Sequence, residues 1–161
     1  MGGAVVSLRL RVDQFRAIES QLEGSYPEEG CGALLGRENG DGREVERAIA
    51  FTNVQTETRE RRFLVSPEQL LGAEREARRL GLEVLGIYHS HPDHPARPSA
   101  FDLEHAWPFY SYLIVSVAGG RAAGTRSWRL VEDRSRFVPE TLEIAADGSA
   151  PAAAREARGP A

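Results

Sequence analysis

The run from Ser111 to Val117 (SYLIVSV) constrains the chain most, because its apolar and β-branched side chains mark a central strand that needs neighbours and cover. The rest of the sequence supplies both. A strand is expected over Val5 to Val12, then an amphipathic helix from Asp13, as N-cap, to Leu22, with Gly24 as its stop. Ala33 to Gly36 reads as a short buried strand, and Asn39-Gly40-Asp41-Gly42 turns it into a partner over Glu44 to Phe51. Asn53 to Arg62 reads as an exposed, charged loop leading to Phe63-Leu64-Val65.

Ser66-Pro67-Glu68-Gln69 has the grammar of a helix start: a serine cap, proline at the first helical position and Gln69 to close a capping box. That helix should reach Leu80 and stop at Gly81, with Leu70, Leu71, Ala73, Ala77 and Leu80 on its buried side. Glu83 to Tyr88 is the next strand, and a Pro-rich loop then leads to a helix from Ser99 to about Trp107. Gly119-Gly120 turns the central strand into Thr125 to Val131, and Phe137 to Ile144 is a last strand or helix. The expectation is a single domain over residues 1–144, followed by a disordered Ala/Gly/Pro-rich tail over 145–161. Hairpins imply antiparallel pairing and helices must cover the sheet. The class is therefore α/β, with the α+β boundary unresolved: a mixed sheet flanked by helices.

A length of 161 residues suits one core. A formal charge of −4 without a basic stripe argues against nucleic acid as a partner. No apolar run approaches the ~18 residues of a membrane span, and the first residues lack the apolar stretch of a signal peptide. Cys31, the single cysteine, cannot form an intramolecular disulfide and fits a reducing compartment, so a cytoplasmic location is expected.

His89 and His91 stand two residues apart at a strand end, so both imidazoles point to one face. Asp102 follows eleven residues later, in the first turn of the next helix. Two imidazoles and a carboxylate make a zinc set with the fourth tetrahedral position open, the catalytic rather than the structural arrangement. Separately each has a plainer role: Asp102 suits a helix dipole, and Ser99 to Asp102 suits a capping box.

The spacing of the set goes further. His89-Ser90-His91-Pro92, six residues, Ser99, two residues, Asp102 resembles the motif of the JAMM (MPN-domain) metallopeptidases, which also has an upstream glutamate. Glu29-Gly30-Cys31-Gly32 and the apolar Ala33-Leu34-Leu35-Gly36 look like that glutamate segment, and Leu85 to Tyr88 is also typical. The resemblance covers roughly Val12 to Val117 and implies a single MPN-like domain related to the cytidine-deaminase-like fold. It implies Zn2+ held by His89, His91 and Asp102. It makes Glu29 the proton carrier and Ser99 a hydrogen-bond donor to the developing oxyanion. Glu28 is the rival for Glu29 and reads as a solvated neighbour. Cys31 reads as a small buried residue beside the site, and His94 and His105 as surface or outer positions.

The resemblance also implies hydrolysis of an amide. The chain looks like the compact bacterial stand-alone members, because only Ala118 to Gly124 separates the central strand from the next, with no long insertion. Some of those trim ubiquitin-like sulfur-carrier proteins after Gly-Gly, which makes such a protein tail the expected substrate. Thr56 to Arg62 and Asp93 to Pro98 are candidate substrate-contact loops, and the oligomeric state is left open. The alternatives are an inactive MPN scaffold, or a binding module whose structural zinc has its fourth position closed, for example by His94. A zinc deaminase would need a Pro-Cys-x-x-Cys segment, which one cysteine cannot supply.

Overall fold

A computed structural model describes residues 7–146. Along them run β1 (Ser7–Arg11), α1 (Val12–Ser25), β2 (Cys31–Asn39), β3 (Gly42–Phe51), α2 (Pro67–Leu80), β4 (Glu83–Pro92), α3 (Ala100–His105), β5 (Ser111–Ala118), β6 (Arg121–Leu130) and β7 (Phe137–Ala145). Residues 5–6 of the first expected strand, and the expected tail from residue 147 onward, lie outside the described residues. None of the described helices is long and apolar enough to cross a membrane.

The central strand organises the packing through its period of two. Leu113, Val115 and Val117 of β5 point into one cluster with Ile18 and Leu22 of α1. Tyr112 and Ile114 point the other way, to Ala73 and Ala77 of α2. Both faces of β5 are thus dry, as its composition requires. The pairing with β4 is parallel, and Gly86 makes it possible: a Cβ there would lie 2.0 Å from the Ser111 carbonyl oxygen.

The sheet is mixed, as expected, but it closes. Its order is β1-β3-β2-β4-β5-β6-β7, with β1 parallel to both β3 and β7. The open sheet flanked by helices that was expected is therefore a closed barrel, joined where Ser7 to Arg11 meets Thr141 to Ala145. The last element, strand or helix by its sequence, is the strand that seals this seam.

Local signals placed both ends of α2 and the start of α3. Ser66 accepts from the Gln69 N–H, the Gln69 amide oxygen accepts from the Ser66 N–H, and Gly81 ends α2 with φ 72°. Four details differ. α1 runs past Leu22 and through Gly24, its expected stop, to Ser25, with Tyr26 as its cap. Arg11, not Asp13, is the N-cap of α1, because the Gln14 side chain takes the Arg11 N–H. Leu71 is 47% exposed, because only Ala73 and Ala77 of α2 sit flush on the sheet. α3 stops at His105, where the Ala106 backbone turns extended.

Candidate metal centre

Ile87, His89 and His91 alternate along β4 and share the face covered by α2 and α3. Ser90 between them points the other way. Its Oγ accepts the Gly30 N–H at 2.8 Å, and its own N–H reaches the Gly30 carbonyl at 3.1 Å. That pair of bonds fastens the Glu29 segment beside the histidines, although about sixty residues separate them in the chain. Asp102 arrives from the first turn of α3. Its carboxylate accepts the Ser99 N–H at 2.8 Å while Ser99 Oγ accepts the Asp102 N–H at 3.0 Å, so the capping box is real and also aims the carboxylate.

Ligand atoms of Glu29, His89, His91 and Asp102 all lie within 4.8 Å of one another, and the four residues are 0–6% exposed. Glu28, the rival, is exposed. Burying four ionisable groups is costly unless something compensates them. Part of the compensation is visible. His91 Nε2 stands 3.0 Å from Asp102 Oδ2 and His91 Nδ1 stands 2.9 Å from the Pro95 carbonyl. Burial alone would lower the His91 pKa, but the Asp102 hydrogen bond and the charges of Asp102 and Glu29 outweigh it and raise it. Burial would raise the Asp102 pKa, but His89 and the hydrogen bonds from His91 and Ser99 hold it well below the usual carboxylate range.

The rest of the compensation is missing from the chain itself. Both ring nitrogens of His89 and Oε1 of Glu29 are buried without a hydrogen-bond partner among the described residues. His89 Nδ1 is 3.7 Å from Glu29 Oε1 and its Nε2 is 3.9 Å from Asp102 Oδ1, too long for hydrogen bonds. Such spacings suit groups that converge on a common cation, since tetrahedral ligands ~2.0 Å from an ion stand roughly 3.3 Å apart. The donor set fits a metal, and the Pro95 carbonyl fixes the tautomer of His91 as an outer partner should.

Residues 11–131 match the family described as prokaryotic homologs of the JAB domain. The chain belongs to that family. Among its JAB relatives, a desampylase from Haloferax volcanii is 39% identical over 62% of this chain and 70% of its own length. A CysO-cysteine peptidase from Mycobacterium tuberculosis is 34% identical over 81% of this chain and 87% of its own. A solution structure of a protein from Desulfitobacterium hafniense superposes with TM-score 0.76 at 32% identity, covering 87% of this chain and 94% of that one.

Around the centre of this JAB domain lie residues that motif reading did not single out. Phe63 stacks on His89 with ring centroids 4.3 Å apart, shielding it from water. Asn53 bridges the loop to the site, its Nδ2 donating to the carbonyls of Glu29 and Arg62. Glu29, His91 and Ser99 line a cavity of about 430 Å³ together with Arg61, His94 and Arg97. His94 is exposed on that rim and stands outside the four-residue cluster. His105 lies elsewhere, in an apolar cavity with Phe63, Trp107 and Tyr112.

Cys31 is buried beside Glu29, and burial together with the Glu29 charge pushes its thiol up to about 12. At pH 8 only about one thiol in ten thousand would be ionised, and reactivity follows the thiolate. Intact-mass measurement after an alkylating agent at pH 8 should find the folded protein unmodified and the denatured protein singly alkylated. Rapid alkylation of the folded chain would contradict this placement.

Proposed function

We propose that the chain is a zinc-dependent peptidase or isopeptidase that cleaves the amide after the Gly-Gly of a ubiquitin-like sulfur-carrier protein. The observation that carries this reading is the buried cluster of Glu29, His89, His91 and Asp102, in which Glu29 Oε1 and both His89 nitrogens lack hydrogen-bond partners among the described residues. An inert scaffold has no need to keep such groups dry and unpaired. The relatives' names, desampylase and CysO-cysteine peptidase, favour a ubiquitin-like carrier as the substrate class.

In this reading His89, His91 and Asp102 hold the ion. Zinc there supplies Lewis acidity, polarising a carbonyl and bringing the pKa of water down to ~7. Glu29 accepts the proton of the attacking water at its carboxylate and returns it to the leaving amine. Ser99 Oγ already accepts the Asp102 N–H, so its own proton is free to be donated to the developing oxyanion. Phe63 keeps solvent off His89, which strengthens each of these charge interactions.

A cytoplasmic location belongs to the same proposal, supported by a single, buried thiol. So does the division into a domain and a C-terminal tail, supported by the seal that β7 makes, with Ala145, expected in the tail, still paired to Arg11. The kinship with the cytidine-deaminase-like fold is proposed on the mixed sheet with its parallel β4–β5 pair.

The test is to incubate zinc-loaded protein with a sulfur-carrier protein extended beyond Gly-Gly, with and without a chelator, and to weigh the products. Trimming to Gly-Gly that a chelator stops and added zinc restores is expected. Tails left intact in every arm would refute the substrate class.

A further inference from the structure

The cavity beside the metal centre has a charge pattern that the hydrolytic roles leave unused. Arg61 comes from the loop after β3, and Arg97 from the loop between β4 and α3. Both are exposed, and among the described residues neither guanidinium has a hydrogen-bond or ion-pair partner. Their neighbours differ: Arg59 Nε donates to the Gln55 carbonyl, and Arg62 lies 4.8 Å over the Phe101 ring. Of the four arginines on these two loops, Arg59, Arg61, Arg62 and Arg97, only Arg61 and Arg97 line the cavity.

The backbones that carry them are pinned. The carbonyl of Arg59 takes the Glu29 N–H at 2.7 Å, and Asn53 Nδ2 ties the Arg62 carbonyl to that of Glu29. Arg61 is therefore held between two anchors to the residue that would hand a proton to the leaving amine. Arg97 is held likewise: the His94 carbonyl accepts from Ser116 Oγ at 2.6 Å, and the Ala96 carbonyl accepts from Trp128 Nε1 at 3.0 Å. With the backbone pinned, only the side-chain rotamers remain to be ordered when an anion binds, which keeps that cost down.

We propose that Arg61 and Arg97 form a carboxylate clamp on the leaving-group side, so that the site takes an amide whose leaving amine belongs to a single C-terminal amino acid. The proposal rests on the hydrolytic reading above and narrows it. A free α-carboxylate lies one carbon from the scissile nitrogen, within the same cavity as Glu29. An isopeptide to a lysine ε-amine, or a longer tail, offers no carboxylate at that distance. Guanidinium is suited to this task because its planar fork pairs with both carboxylate oxygens.

The experiment uses a carrier protein extended past Gly-Gly by one alanine, prepared as the free acid and as the C-terminal carboxamide. The zinc-loaded chain should cleave the free acid with kcat/KM about ten- to a hundredfold higher, the range for a charge-assisted contact. In the R61Q/R97Q double variant that ratio should fall to near one. Both arginines are exposed and without side-chain partners, so the variant should keep its fold. Calorimetric binding of the two carriers to Glu29→Gln protein repeats the comparison without turnover.

Equal cleavage of the two carriers by the unaltered chain, or a preference that survives the double substitution, overturns the clamp. Arginine-dependent preferential binding with neither carrier cleaved supports the clamp and overturns the hydrolytic reading. Neither cleavage nor preferential binding overturns both.

Discussion

On the proposed mechanism, replacing Glu29 with glutamine should lower kcat by about 10²- to 10⁴-fold, the usual contribution of a positioned general acid–base, while zinc-loaded protein keeps its metal and its fold. The swap is isosteric, and Glu29 Oε1 has no hydrogen-bond partner among the described residues, so no hydrogen bond within the chain is lost, only the charge that faces His89 and His91. The backbone of Glu29 stays anchored through its N–H to Arg59 and its carbonyl to Asn53. An amide cannot take the proton of the attacking water, and that loss is felt only in the transition state. kcat and kcat/KM should therefore fall together with little change in KM. Glu28→Gln, one position earlier and exposed, should leave both unchanged. Metal analysis of the purified variant decides between two uses of the same side chain. If Glu29→Gln loses zinc as well as activity, the carboxylate is a fourth ligand and the closed, structural arrangement gains ground.

What could be read from the sequence followed the range of the interactions involved. The serine cap, proline and glycine stop of α2 act within one helical turn of themselves, so its span was readable residue by residue. The spacing of His89, His91, Ser99 and Asp102 was equally local, because one strand, one loop and one helical turn carry all four. Glu29 needed the family resemblance, since its place beside the histidines depends on the Gly30–Ser90 bonds across the sheet. Closure of the sheet had no local signal at all. It depends on β1 pairing with a strand more than a hundred residues away, and the alternation of Ser7 to Arg11 suits an edge as well as a seam. Phe63 and Asn53 escaped for the same reason. A charged segment reads as solvated loop, and only the folded chain shows two of its flanking residues turned back onto the site.

Glu140→Ala should cost about 3 kcal/mol of stability, a large effect for a residue outside both the metal centre and the apolar core. It lies on β7 with its side chain 1% exposed and accepts from Ser127 Oγ at 2.7 Å, from Ser111 Oγ at 3.1 Å and from Arg129 Nε. Arg43 is buried in the same network, donating to Ser111 Oγ and to the carbonyls of Leu85 and Phe109. Burial and the nearby Arg129 lower the Arg43 pKa, and Glu38 and Glu140 offset only part of that. Without the Glu140 carboxylate, two guanidiniums face each other and two buried hydroxyls lose their acceptor. Breaking one side of a buried pair costs roughly 3–5 kcal/mol, and Arg129, which keeps some access to water, places this case at the lower end. For a chain of this length that is about 6–12 °C in Tm. Glu143→Ala removes a partner of Arg9 that is 49% exposed and should cost less than about 1 kcal/mol, which calibrates the comparison. The network joins β5 and β6 to β7 at the Ser111 end of β5, which pairs with Gly86, whereas His91 pairs with Ser116 further along. Folded Glu140→Ala protein should therefore retain its zinc stoichiometry while melting earlier. A variant that melts like the parent would show that the buried charges are better hydrated than their geometry implies.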